Sequence, residues 1–236
     1  MDRRQFLLAT CASAAAWPLQ AATGSALVAV AANFSKTAEG LLPAFEAETG
    51  YQITLSSGST GQFYGQITNG APYDAFLAAD QARPALLAQA GLSLNRLTYA
   101  RGLLVLMHAQ GTATEASLQG NFNHLAIANP ALAPYGLAAK QALVAMGLWA
   151  ALKGRIVMGQ NVGQAYALVA SGNAELGLVA RSSVQSGFWP VPEGHYAPIL
   201  QDAVLLRENP AAAAFLKYLG TDTTQAAIRA AGYGAL

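Results

Sequence analysis

The chain has one cysteine in 236 residues, Cys11, and three histidines, His108, His124 and His195, far apart from one another. Cys11 falls in a stretch that reads as an export signal, so the part that folds carries no thiol. That excludes a disulfide and a thiolate metal site. The single, widely spaced histidines suggest no metal-ligand cluster. Charge is scarce too: 11% of residues are Asp, Glu, Lys or Arg, against about 25% in an ordinary globular chain. No basic run follows Arg3 and Arg4, so no nucleic-acid partner is expected. No apolar run reaches the roughly 20 residues that span a membrane. Residues 57–61, SGSTG, lack the first glycine of a serine-hydrolase elbow, and no glycine-rich loop leads into Lys-Ser or Lys-Thr. Asp74 and Asp80 flank one strand and read as a strand-end anchor and a helix N-cap rather than an acid/base pair.

What remains is an alanine-rich, 53% hydrophobic chain with an α/β composition. MDRRQ followed by FLLATCASAAAW and PLQAATGSA is a charged start, an apolar stretch and a small-residue cleavage region. Residues 1–24 are therefore expected to be an export signal that is removed. Arg3 and Arg4 before Phe6 and Leu7 resemble a twin-arginine signal, with the general secretory route as the alternative. Without residues 1–24 the chain keeps eleven basic and eleven acidic residues, a formally neutral domain.

Apolar β-branched runs alternate with amphipathic ones. Strands are expected at 26–31, 53–55 and 74–79, with helices at 36–48, 61–68 and 80–90 between and after them. A long strand-like stretch covers 97–108. A second α/β series follows: strands at 124–128, 155–158 and 176–180, and helices at 135–146 and 163–171. Another extended stretch, 197–206, leads to closing helices at 211–219 and 223–231. This βα rhythm predicts mostly parallel sheets flanked by helices. The layout predicts two lobes with a cleft between them: lobe 1 over 25–104, lobe 2 over 105–202, and a return to lobe 1 over 203–236.

In open α/β sheets ligands sit beyond the carboxyl ends of the strands. Four strand-to-helix junctions fall there. The first holds Ala32, Asn33, Phe34 and Ser35; the second is residues 57–61. Asn129 with Pro134, Tyr135 and Gly136 forms the third, and Asn161, Val162 and Gly163 the fourth. The first turn of a helix presents unpaired N–H groups and a partial positive charge of about half an electron. Several such ends meeting at one point make an anion site without a lysine or arginine. Asn33, Ser59 and Thr60 would add side-chain donors, and Tyr135 and Val162 backbone N–H groups. The plainer reading makes the same residues helix caps, each worth about 1 kcal/mol without any ligand. Trp149, Phe188 and Trp189 read as packing aromatics.

At these junctions the chain resembles the periplasmic molybdate-binding proteins of ABC transporters. The resemblance rests on Ala31, Ala32, Asn33 and Phe34; on SSGSTG at 56–61; on GAPYD at 70–74; and on Ala78, Ala79, Asp80 and Gln81. It continues through Asn129 and Pro130, Pro134, Tyr135 and Gly136, Asn161, Val162, Gly163 and Gln164, and LGLVA at 176–180. It runs in order along the whole chain after the signal. The resemblance implies a type II periplasmic-binding-protein fold and a non-enzymatic receptor. That receptor would capture molybdate or tungstate in the periplasm for a membrane permease, as a monomer and without a cofactor. It carries the ligand-binding role onto Ala32, Asn33, Ser59, Thr60, Tyr135 and Val162. Many members have serine where Asn33 stands and a tyrosine where Ala180 stands. Asn33 is expected to replace the hydrogen bond that Ala180 cannot make. Sulfate, a small organic anion, or a secreted enzyme acting on a phosphorylated or sulfated substrate are the alternatives.

Overall fold

The computed structural model describes residues 24–236. The export signal expected over 1–24 lies, apart from Gly24, outside the described residues. The first strand, β1 (Ser25–Ala31), is apolar on both faces and runs through the middle of a layer. Helix α1 (Ser35–Thr49) follows, buries Ala38, Leu41 and Phe45, and stops at Gly50, whose φ of 74° is a left-handed cap. Then come β2 (Gln52–Gly58), α2 (Thr60–Thr68), β3 (Ala75–Leu77), α3 (Ala82–Gln89) and β4 (Asn95–Gly102). The second series is β5 (Leu104–His108), β6 (Leu125–Ala128), α4 (Pro134–Ala145), a short α5 (Trp149–Leu152), β7 (Ile156–Gly159), α6 (Val162–Ala170), β8 (Leu176–Ala180) and β9 (Trp189–Pro190). The chain closes with β10 (Ile199–Leu205), α7 (Pro210–Leu219) and α8 (Asp222–Ala230).

Among the described residues ten strands form two five-stranded sheets, ordered β2-β1-β3-β10-β4 and β7-β6-β8-β5-β9. Each is mixed, with three parallel strands and then one strand running against its neighbours: β10 in the first sheet and β5 in the second. The two orders match strand for strand. The antiparallel strand of each sheet is the one entered from the other sheet. The chain crosses at Leu103 and again between Pro190 and Ile199. The single strand expected over 97–108 is thus two strands in two sheets, broken at Leu103. Arg101 and Gly102, just before the break, are the local interruption in that stretch. Neither α5 nor β9 was expected; each is only a few residues long.

Each sheet has its own core. Val28, Phe45, Leu77, Tyr99, Phe215 and Ile228 belong to the first, so α7 and α8 pack on the first sheet. Leu106, Ile127, Leu143, Val169 and Leu178 belong to the second. Trp149, Phe188 and Trp189 pack, partly buried, against that second core. Asp74 anchors a strand end as expected, accepting the Leu27 N–H at 2.7 Å. Asp80 sits one residue outside the expected cap position. Its Oδ1 accepts the Arg83 N–H at 3.0 Å, while Gln81 is the N-cap residue of α3.

Helix α4 comes very close to β6 because its third residue is glycine. A Cβ on Gly136 would lie 2.2 Å from the Ala128 carbonyl oxygen, a backbone atom that cannot swing away. Gly136→Ala should therefore destabilise the fold by about 1–3 kcal/mol, read as a lower midpoint in denaturant unfolding.

Candidate functional site

The carboxyl ends of the parallel strands of the two sheets face each other. Between them is a small cavity lined by Ala31, Ala32, Asn33, Gly58, Ser59, Thr60, Ala79, Ala133, Pro134, Tyr135, Asn161 and Val162. All six residues singled out from the sequence, Ala32, Asn33, Ser59, Thr60, Tyr135 and Val162, are on that wall. The first four come from the first sheet's junctions and the last two from the second's. The cavity measures ≈ 10 Å³, about the room that one water molecule needs and too little for a sugar or aromatic ring. Wider grooves of ≈ 570 and ≈ 270 Å³ run elsewhere, and neither is lined by Asn33, Ser59, Thr60 or Val162.

The polar groups on this wall are nearly all donors. The backbone N–H groups of Asn33, Thr60, Tyr135 and Val162 have no acceptor among the described residues. Three of them sit in the first turn of α2, α4 and α6, where no intrahelical acceptor exists. Ser59 caps α2, its Oγ accepting the Gln62 N–H at 3.2 Å. Thr60 Oγ1 accepts the Ala79 N–H at 3.0 Å. Each hydroxyl thus accepts a backbone bond and keeps its own proton free to donate. Asn161 caps α6, accepting the Gln164 N–H at 2.9 Å. Among the described residues no carboxylate lines the cavity.

Two expectations change in detail. The Ala32 N–H is already taken by the Gly58 carbonyl at 2.9 Å, so Ala32 shapes the wall without offering a donor. Asn33 is not a helix cap: Phe34 is the N-cap residue of α1, and it makes no side-chain cap bond. Asn33 is instead 4% exposed, with Nδ2 donating to Gln201 Oε1 at 2.9 Å and to Tyr233 Oη at 3.2 Å. Ser59 and Asn161 line the cavity and are also caps, so the plainer reading holds for these two residues.

The lobes touch around this cavity. The Gly61 N–H donates to the Leu132 carbonyl at 2.8 Å, and the Ser182 hydroxyl donates to the Asn33 carbonyl at 3.1 Å. The Arg83 guanidinium reaches the Ala131 carbonyl at 3.1 Å. Behind Asn33 lies a buried polar cluster of Tyr99, Gln201 and Tyr233 from the first sheet's side and Tyr135 from the second's. Burial pushes the Tyr99 and Tyr135 phenols well above their ordinary value and Tyr233 up to about 12, so all three remain protonated donors. Sequence reasoning missed Gln201, Tyr99 and Tyr233, and singled out Tyr135 for its backbone N–H alone. The available signal was the polar pair Gln201 and Asp202 inside an apolar strand. Ala180 is fully buried at the end of β8, opposite Leu104, and is not on the cavity wall.

Two lobes, a cleft, and helix N-termini converging on a small cavity define a solute-binding protein. The profile of the family described as "Bacterial extracellular solute-binding protein" matches residues 26–234. The molybdate-binding protein ModA of Azotobacter vinelandii is 46% identical over 224 residues, covering 88% of each chain. ModA of Rhodobacter capsulatus is 41% identical over 227 residues, covering 91% of this chain and 90% of its own. The solved periplasmic molybdate-binding protein of A. vinelandii superimposes with a TM-score of 0.85 at 39% identity, over 89% of this chain and 99% of its own. The chain belongs to the ModA branch of the bacterial extracellular solute-binding proteins.

Removing the Thr60 hydroxyl leaves the N–H of buried Ala79 without its acceptor. Thr60→Ala should lower the stability of the ligand-free protein by about 1–3 kcal/mol, and Thr60→Ser should restore most of it in the same thermal melt.

Proposed function

We propose that the protein is the periplasmic receptor for molybdate or tungstate, which it hands to the membrane permease of an ABC transporter. The observation that carries the reading is the chemistry of the cavity wall: free N–H and O–H groups, three helix N-termini and no carboxylate. Molybdate and tungstate are fully deprotonated tetrahedral dianions at neutral pH and only accept hydrogen bonds. Phosphate keeps a proton near pH 7 and calls for an acceptor, which this wall does not offer. Sulfate matches the donor pattern and differs in size. The names of the relatives point the same way.

In this reading the ligand contacts are the N–H groups of Asn33, Thr60, Tyr135 and Val162, with the Ser59 and Thr60 hydroxyls and the Asn33 amide. The anion lands on one lobe, and the other closes over it by bending at Leu103 and in the 190–199 segment. Closure removes water, which strengthens each charge-assisted bond. The permease reads the closed form, and the receptor acts as a monomer without turning anything over. Export is by the signal at residues 1–24.

Titration calorimetry of the chain from residue 25 onward with molybdate, tungstate, sulfate and phosphate tests this. Molybdate and tungstate should bind tightly and alike, and phosphate and sulfate should give no heat. Heat from sulfate alone, or silence from all four, would replace the reading. Asn33→Ala should weaken molybdate binding by about 1.5–3 kcal/mol. Val162→Ala should leave it unchanged, because the Val162 donor is backbone. Among the described residues, the only titratable side chain on the wall is Tyr135, held protonated by burial. Affinity should therefore stay flat between about pH 6.5 and 8.5, and a unit slope there would place a titrating group at the ligand.

A further inference from the structure

Gln201 lies on β10, fully buried, where that strand's register with β4 slips between Gln201 and Asp202. Ala100 pairs with Gln201 and Thr98 with Asp202, so Tyr99 is the extra residue of a β-bulge. Bulges re-aim side chains, and here Gln201 and Asp202 are both buried although they are adjacent. Gln201 Oε1 lies 2.9 Å from Asn33 Nδ2 and 3.1 Å from Tyr99 Oη, and Gln201 Nε2 lies 3.5 Å from Tyr135 Oη.

In this orientation three groups are mismatched. Asn33 Oδ1 is buried with no partner. The one proton of Tyr99 faces two acceptors, the Ala78 carbonyl at 3.0 Å and Gln201 Oε1. The Tyr135 hydroxyl accepts from Gln201 and has no acceptor for its own proton among the described residues. The two ends of a carboxamide are nearly the same size, and the partners decide which is which. Turning both amides by half a rotation repairs all three. Gln201 Nε2 then donates to Asn33 Oδ1 and to Tyr99 Oη, Tyr99 donates to Ala78, and Tyr135 donates to Gln201 Oε1. The loss is the 3.2 Å bond from Asn33 Nδ2 to Tyr233. What remains is an unpaired Asn33 NH2 where the orphaned oxygen was, on a residue that lines the cavity.

We propose that Gln201 is a positioning residue for oxyanion capture: it holds the Asn33 amide so that NH2, and not oxygen, meets the anion. This rests on the receptor reading above. Tyr135 ties the arrangement to closure, because its hydroxyl comes from the opposite lobe. The hydroxyl fits only because residue 102 is glycine. A Cβ on Gly102 would sit 2.3 Å from Tyr135 Oη and 2.7 Å from Gln201 Nε2. With the lobes together, the backbone N–H of Tyr135 faces the cavity while its side chain braces the amide that orients Asn33.

The test uses calorimetry and the 1H–15N spectrum of the side-chain amides. The Asn33 NH2 pair is identified by its loss in Asn33→Asp. In the unaltered protein both of its protons should shift strongly when molybdate is added. Gln201→Glu supplies only acceptors when ionised, which forces the Asn33 NH2 away from the cavity. It should weaken molybdate roughly 10- to 100-fold and abolish the Asn33 shift. If that variant does not fold, the unaltered protein's spectrum decides alone. Failure of the unaltered chain to bind molybdate sinks the receptor reading and this inference with it. Tight binding without a shift of the Asn33 pair, or a Gln201→Glu variant that binds as well as the parent, overturns the inference only.

Discussion

An unpaired backbone N–H at the start of a helix is the constraint around which this molecule is arranged. Such a group costs free energy when buried without a partner, and the first turns of α2, α4 and α6 bring three of them to one small space. The fold cannot supply intrahelical acceptors there, so the donors wait for something that comes from outside. Everything else at the cleft keeps competing acceptors away from them. Ser59, Thr60 and Asn161 turn their oxygens toward other backbone N–H groups, and no carboxylate approaches. The wall therefore presents neutral dipoles rather than arginine or lysine side chains.

The two sheets explain how donors from distant parts of the chain meet. Each places its parallel strands with their carboxyl ends toward the cleft, and each admits one antiparallel strand from the other lobe. The crossings at Leu103 and between Pro190 and Ile199 are the covalent links between the sheets. Bending there moves whole helix ends, not single side chains. A short set of polar contacts, Gly61 to Leu132, Ser182 to Asn33 and Arg83 to Ala131, joins the lobes at the rim. In each of these contacts the acceptor is a backbone carbonyl.

Behind the wall, Tyr99, Tyr135, Gln201 and Tyr233 form a buried polar cluster that a solute receptor with purely backbone recognition would not need. Satisfied buried networks fix one arrangement of their members, and partly satisfied ones are costly. The bulge in β4 and the absence of a side chain at Gly102 are local irregularities with a shared consequence: both make room for this cluster. Their position next to Asn33 links the packing of the lobes to the side-chain amide of one cavity-lining residue.

Local sequence determined a good deal. The alternation of apolar runs with amphipathic ones was enough for the two α/β series, because strand and helix periods are local properties. The placement of polar and small residues after each strand was enough for the six wall residues, because helix N-termini carry their own chemistry wherever they lie. Tertiary structure alone decided the rest. The apolar stretch at 97–108 does not say that it leaves one sheet and enters another at Leu103, since hydrogen-bond partners are chosen by distant strands. Ala32 looks like a donor until the Gly58 carbonyl takes its N–H. Gln201 looks like a polar interruption in a strand until a bulge turns it toward Asn33 and Tyr135, 168 and 66 positions away in the chain. Local periodicity carries no information about partners at that separation; only the packed lobes bring them within hydrogen-bonding reach.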